Sequence, residues 1–166
     1  STVDGTDPGG DQSYGDQQYV SYYNLSNGAS VFSAGVTVDL RAGTATKKVA
    51  GVSVGDTLID IERVRGTNAD DTFYGSNTAN LRQERFQGLA GNDYIDGGAG
   101  YDIVSYASDA SRGGAAGVTV DLAAGTATDG FGSTDILVGI EGVHGTTAAD
   151  VLTGDAGDNS FEGRGG

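Results

Sequence analysis

From Gly88 to Ser105 the chain runs on a nine-residue period. GLAGNDYID is followed by GGAGYDIVS, so Gly88 aligns with Gly97, Gly91 with Gly100, Asp93 with Asp102 and Ile95 with Val104. Six glycine-rich residues can form a tight turn with φ values closed to other residues, and three more with one inward apolar side chain form a short strand. Two such units close one coil. Successive coils then stack as parallel strands, with Phe73, Ile95, Val104, Leu152 and Phe161 as a thin inner row. The aspartates stack as well. Carboxylates about 4 Å apart repel by roughly 4 kcal/mol at an effective dielectric near 20, so the coils need a cation between them.

The period belongs to a larger duplication. GVTVDLRAGTAT (35–46) returns as GVTVDLAAGTAT (117–128) with one change, Arg41 to Ala123. The match continues through YVSYY (from Tyr19) with IVSYA (from Ile103), and through GDTLIDIERVRGTNADDTFYG (55–75) with STDILVGIEGVHGTTAADVLTG (133–154). Each copy ends in further nonapeptides: GTNADDTFY, GTTAADVLT and GDAGDNSFE carry Asp or Asn at the sixth place and an apolar residue at the eighth. The expected organisation is an acidic Gly/Asp-rich segment over 1–18, a worn first coil, then two homologous segments over about 19–102 and 103–166. The closing GRGG has the form of another nonapeptide's start, which is expected of a fragment.

Composition supports the need for a cation. The formal net charge is −14, and Leu, Ile, Val and Phe make up about a fifth of the chain, at the border of disorder. The acidic surplus argues against nucleic acid and anionic membranes as partners, and for hard cations. No cysteine is present, so disulfides and thiolate metal sites are excluded. No apolar run reaches the roughly 20 residues of a membrane span, so no membrane insertion is expected.

These nonapeptides resemble the RTX, or haemolysin-type, calcium-binding repeats of secreted bacterial proteins. GGAGYDIVS matches the pattern GGxGxDxUx fully, and GLAGNDYID departs only at Leu89. The resemblance implies an all-β fold, a right-handed parallel β-roll (a β-solenoid) with several Ca²⁺ ions in its turns. It implies as ligands the sixth-place Asp93 and Asp102, with the backbone carbonyls of Leu89, Gly91, Gly98 and Gly100. Asp71, Asp150 and Asn159 follow from the less regular units, and Asp56 and Asp135 from the worn turns GVSVGD and GFGSTD. Oxygen-only ligands in flexible loops suit Ca²⁺ over Mg²⁺ or Zn²⁺. Ions at 100-fold excess over Kd add about 2.7 kcal/mol each, so three rival the stability of a small domain. The resemblance further implies a monomeric module of a larger exported protein, secreted or on the cell surface. The parent is left open between a protease, lipase or epimerase and an adhesin, the latter with a carbohydrate or cell-surface partner.

Departures from the pattern carry their own expectations. GSNTAN places Asn80 at a sixth place and LRQERFQ inserts residues after it, which puts the Asp71–Asp93 register in question. Gln18 takes the place of Asp102 in the first coil, which has then lost its site.

Enzymatic activity is not expected of this chain. GVSVG around Ser53 fits G-x-S-x-G, but that pattern works only on a strand-to-helix elbow. A strand-like DTLIDIERV follows it, and the second copy has Gly132 in place of Ser53. His144, the single histidine, reads as an exposed turn residue, and Glu62 and Glu141 as capping or loop-bonding groups. Asp7-Pro8 reads as an ordinary turn.

Overall fold

The computed structural model describes residues 2–4, 18–23, 34–49, 51–77 and 83–166. Asn80 and the Asp7-Pro8 turn lie outside the described residues, as does most of the segment 1–18. The described chain is all-β, with one 3₁₀ turn at Ala110–Arg112 and no α-helix.

Ten strands form a wide sheet. Their order is β1 (Thr2–Asp4), β5 (Val52–Ile59), β4 (Thr44–Val49), β3 (Thr37–Asp39), β7 (Thr72–Tyr74), β9 (Tyr94–Asp96), β13 (Thr134–Val138), β12 (Thr126–Thr128), β11 (Thr119–Asp121) and β15 (Val151–Thr153). Six form a narrow sheet in chain order: β2 (Tyr19–Ser21), β6 (Arg63–Arg65), β8 (Gln83–Gln87), β10 (Tyr101–Ser105), β14 (Gly142–His144) and β16 (Ser160–Glu162). Between β6 and β10 the chain crosses to the other sheet after every strand. Neighbours within a sheet are therefore a whole turn apart in sequence and run parallel, as β7 with β9 and β8 with β10.

Inward residues alternate with outward ones, as strand geometry requires. Val20, Val64, Phe86, Val104 and Val143 line the narrow sheet, and Val38, Phe73, Ile95, Leu137 and Val120 the wide one, all buried. Phe73 and Phe86 stack at 6.1 Å between ring centroids. The core is one side chain thick on each sheet. Of the expected inner row, Phe73, Ile95 and Val104 are fully buried and Leu152 is half-buried. Phe161 departs from expectation at 42% exposed, because β16 is the edge strand of its sheet among the described residues.

The duplicated GVTVDL…AGTAT segments depart from an all-parallel stack. β3–β4–β5 and β11–β12–β13 are antiparallel meanders. Each first hairpin turns through a glycine in the left-handed region, Gly43 (φ 62) and Gly125 (φ 69). The turn is held by the preceding aspartate: Asp39 Oδ1 accepts from the Ala42 N–H at 3.1 Å, and Asp121 Oδ1 from the Ala124 N–H at 2.9 Å. Each meander adds two strands to the wide sheet alone, which accounts for ten strands facing six.

Candidate metal sites

The stacked strands bring acidic residues into two ladders, one at the edge of each sheet. On the narrow sheet, strand register aligns Gln18, Glu62, Glu84, Asp102, Glu141 and Asn159. The Gln18 N–H donates to Glu62 Oε2 at 2.7 Å, the Glu84 N–H to Asp102 Oδ1 at 3.3 Å, and the Asp102 N–H to Glu141 Oε2 at 2.8 Å. On the wide sheet, the Asp71 N–H donates to Asp93 Oδ1 at 2.8 Å and the Asp93 N–H to Asp135 Oδ1 at 3.0 Å. Each carboxylate thus reaches across to the backbone of the adjacent coil.

Asp93 and Asp102, consecutive in the nonapeptides, stand in different ladders. Their neighbours are Asp71 and Asp135 for one, Glu84 and Glu141 for the other. The register from Asp71 to Asp93 is intact, because Thr72 pairs with Tyr94. Glu84 takes the place opposite Asp102. Sequence reasoning missed Glu84 and gave Glu62 and Glu141 only a capping role. A shared signal was present: each precedes an inward apolar residue by two places, Val64, Phe86 and Val143, as Asp102 precedes Val104.

Turn geometry explains the glycines. A Cβ on Gly88 would lie 1.8 Å from Asp93 Oδ2, and one on Gly97 2.9 Å from Asp102 Oδ2, so the carboxylate folds back over the first-place glycine. Leu89 (φ 78) adopts the left-handed backbone of its counterpart Gly98 (φ 84), and Gly91 (φ 113) and Gly100 (φ 143) lie in the same region. The left-handed backbone costs Leu89 about 1–2 kcal/mol, and burial of its side chain offsets this. The departure in GLAGNDYID therefore keeps the turn.

Hydrogen bonding divides the nominated acids. Asp71 is saturated by protein donors: Oδ1 accepts from the Val36 N–H at 2.7 Å and the Thr67 hydroxyl at 3.0 Å, and Oδ2 from the Thr67 N–H at 2.7 Å. Asp150 repeats this with Val118 and Thr146. The threonine of each GT unit therefore supplies what the regular turns lack. Asp93 Oδ2 and Asp102 Oδ2 are buried with no hydrogen-bond partner. Asn159, half-buried, accepts the Asp155 N–H at 2.8 Å. Asp56 is ion-paired with Lys47, and Asp135 accepts the Tyr106 hydroxyl at 3.0 Å.

Burial makes charge costly on the acids of both ladders. Burial, reinforced by Asp135 and Asp71, pushes the Asp93 carboxyl up to about 9. Asp102 is pushed to about 7 by burial and Glu84, and Asp71 reaches about 6 through burial against the lowering effect of its donors. Such a group can be relieved by a proton or a hard cation. The donor set, carboxylate oxygen beside glycine turns rich in carbonyls, fits Ca²⁺. Among the described residues no three acidic or histidine side chains converge on one point, so backbone carbonyls have to complete any shell.

The remaining candidates resolve simply. Ser53 lies within β5 opposite Lys48, exposed, with no helix following. His144 is corrected: it stands in β14, half-buried, with Nε2 3.4 Å from Glu162 Oε2 and its pKa lowered by burial. Among the described residues no helix is long and apolar enough to cross a membrane.

No curated protein matches the chain. A family profile for the RTX calcium-binding nonapeptide repeat matches residues 78–110 and 143–166, in four copies. Those segments contain Asp93, Asp102, Asp150 and Asn159, and over them the chain is similar to the RTX calcium-binding nonapeptide repeat.

Proposed function

We propose that this chain is a calcium-coupled folding module, a right-handed β-roll within a larger secreted bacterial protein. The observation that carries the reading is the pair of buried, partnerless oxygens, Asp93 Oδ2 and Asp102 Oδ2, each against a glycine turn. Asp93 and Asp102 would hold Ca²⁺ together with carbonyls of the turns, among them those of Leu89, Gly91, Gly98 and Gly100. Bound calcium supplies the positive charge that the stacked carboxylates lack. Asp71 and Asp150, each holding three donors from a threonine and a valine, serve the coils chiefly as internal caps.

The charge of −14 opposes folding in the submicromolar calcium of a cytosol. Outside the cell, at millimolar calcium, extracellular-type sites with Kd of about 10⁻⁴ to 10⁻³ M fill and the coils close. Calcium titration followed by circular dichroism tests this. Cooperative gain of β-structure with Ca²⁺, and little with equal Mg²⁺, is expected. A β-rich spectrum indifferent to excess chelator overturns the reading.

A further inference from the structure

The duplication offers an internal control. In both meanders the middle strand's alanine pairs with an aspartate, Ala45 with Asp56 and Ala127 with Asp135. A tyrosine hydroxyl donates to each aspartate: Tyr22 to Asp56 Oδ2 at 3.4 Å, Tyr106 to Asp135 Oδ2 at 3.0 Å. Two residues beyond the alanine the copies part. The first has Lys47 and the second Asp129.

In the first copy Lys47 Nζ is ion-paired with Asp56 and lies 5.3 Å from the centre of the Tyr22 ring, a cation enclosed by the fold. In the second copy an aspartate takes the lysine's place, a change of two charge units. Asp93, Asp109, Asp129 and Asp135 are 2%, 1%, 1% and 0% exposed. Asp109 Oδ2 accepts the Gly130 N–H at 3.1 Å, beside Asp129. Burial and then Asp129 and Asp135 raise the Asp109 carboxyl to about 7, with the Gly130 N–H acting against them. Asp129 Oδ1 caps its turn, accepting the Phe131 N–H at 2.9 Å and the Ser133 N–H at 2.7 Å. Its Oδ2 is buried and has no partner. The Gly132 N–H and the Ser133 hydroxyl also act to lower the Asp129 carboxyl against its burial, yet no hydrogen bond reaches Oδ2, and burying it charged and unpaired is unfavourable.

We propose that Asp129 Oδ2 ligates a divalent cation, of calcium chemistry, that takes in the second copy the role Lys47 Nζ plays in the first. Asp129 lies outside the nonapeptides, in the β12–β13 turn, so this site is additional to those of Asp93 and Asp102. With no three acidic side chains converging among the described residues, backbone carbonyls and water complete its shell, as Ca²⁺ permits. The inference rests on the calcium reading above and extends it to an ion that one lysine can replace.

The test uses the full chain, radioactive-calcium equilibrium dialysis at saturation, and calcium titration by circular dichroism. Asp129→Lys is expected to fold in calcium with one ion fewer than wild type. Asp129→Asn keeps the capping Oδ1 and removes one anionic oxygen, so its calcium midpoint should rise several-fold while its stability to urea in chelator at low pH is unchanged. A folded Asp129→Lys with the wild-type ion count overturns the proposal. If Asp129→Lys does not fold, Asp129→Asn decides: a raised midpoint or a lost ion supports the site, and an unchanged midpoint and count overturns it. If the wild type itself binds no calcium, the calcium reading fails first.

Discussion

The backbone N–H of Asp71 donates to Asp93 Oδ1 at 2.8 Å across 22 residues of sequence. The contact fixes the coil spacing through the irregular stretch between them, and it spends one oxygen of Asp93 while leaving the other orphaned. Asp71 itself has three donors on its two oxygens.

That asymmetry separates ion binding from scaffolding. Asp102→Asn should raise the calcium midpoint of folding several-fold, a tenfold loss of site affinity being about 1.4 kcal/mol. Asp71→Asn should shift the midpoint less. It should instead lower urea stability at saturating calcium by about 1–3 kcal/mol, since an amide N–H₂ would face the Thr67 donors. Matched titrations check this, and a larger midpoint shift for Asp71→Asn contradicts it.

Gly88→Ala should impair calcium-driven folding severely, because its Cβ would stand 1.8 Å from Asp93 Oδ2. Gly51→Ala is the control. Gly51 has φ 79 and nothing within 4 Å of a Cβ, so the cost is backbone strain alone, on the order of 1–2 kcal/mol. Equal effects of the two on the calcium midpoint would show that the carboxylate's fold over Gly88 is irrelevant.

Glu84→Ala should destabilise the calcium-loaded protein by about 1–3 kcal/mol, since Oε2 accepts the Ser76 N–H at 2.8 Å and the residue is 5% exposed. It should also raise the calcium midpoint, through the neighbouring Asp102. Urea denaturation of Glu84→Ala and wild type in calcium checks the first effect and calcium titration the second; a wild-type midpoint contradicts the link to Asp102.

Without calcium, acid should favour the fold. The Asp93 carboxyl is raised to about 9, and Asp102 and Asp135 to about 7, from 3.8. A group whose folded pKa is raised gives stability that is complete below the unfolded value and lost as pH climbs through the folded one. Chelator-treated protein should therefore show more β-structure at pH 5 than at pH 9. The opposite order, measured by circular dichroism in chelator, would remove the case for buried carboxylates in the ion-free fold.

The local rules were legible in the sequence. Glycines at the first, second and fourth places, an acid at the sixth and an apolar residue at the eighth dictate turn and strand within nine residues, and the structure keeps them even where Leu89 replaces glycine. The duplication announced two equivalent blocks. Partners across coils were not legible, since Asp93 meets Asp71 and Asp135 at separations of 22 and 42 residues, distances set by insertions and meanders. Which acid stays hungry was not legible either. Asp71 and Asp93 share the sixth place, yet Thr67 and Val36 supply three hydrogen bonds to one while the other keeps a buried bare oxygen. The physical reason is that a turn is a local choice of φ and ψ. Carboxylate satisfaction, by contrast, depends on which donors the neighbouring coil brings, and only the stacked tertiary structure decides that.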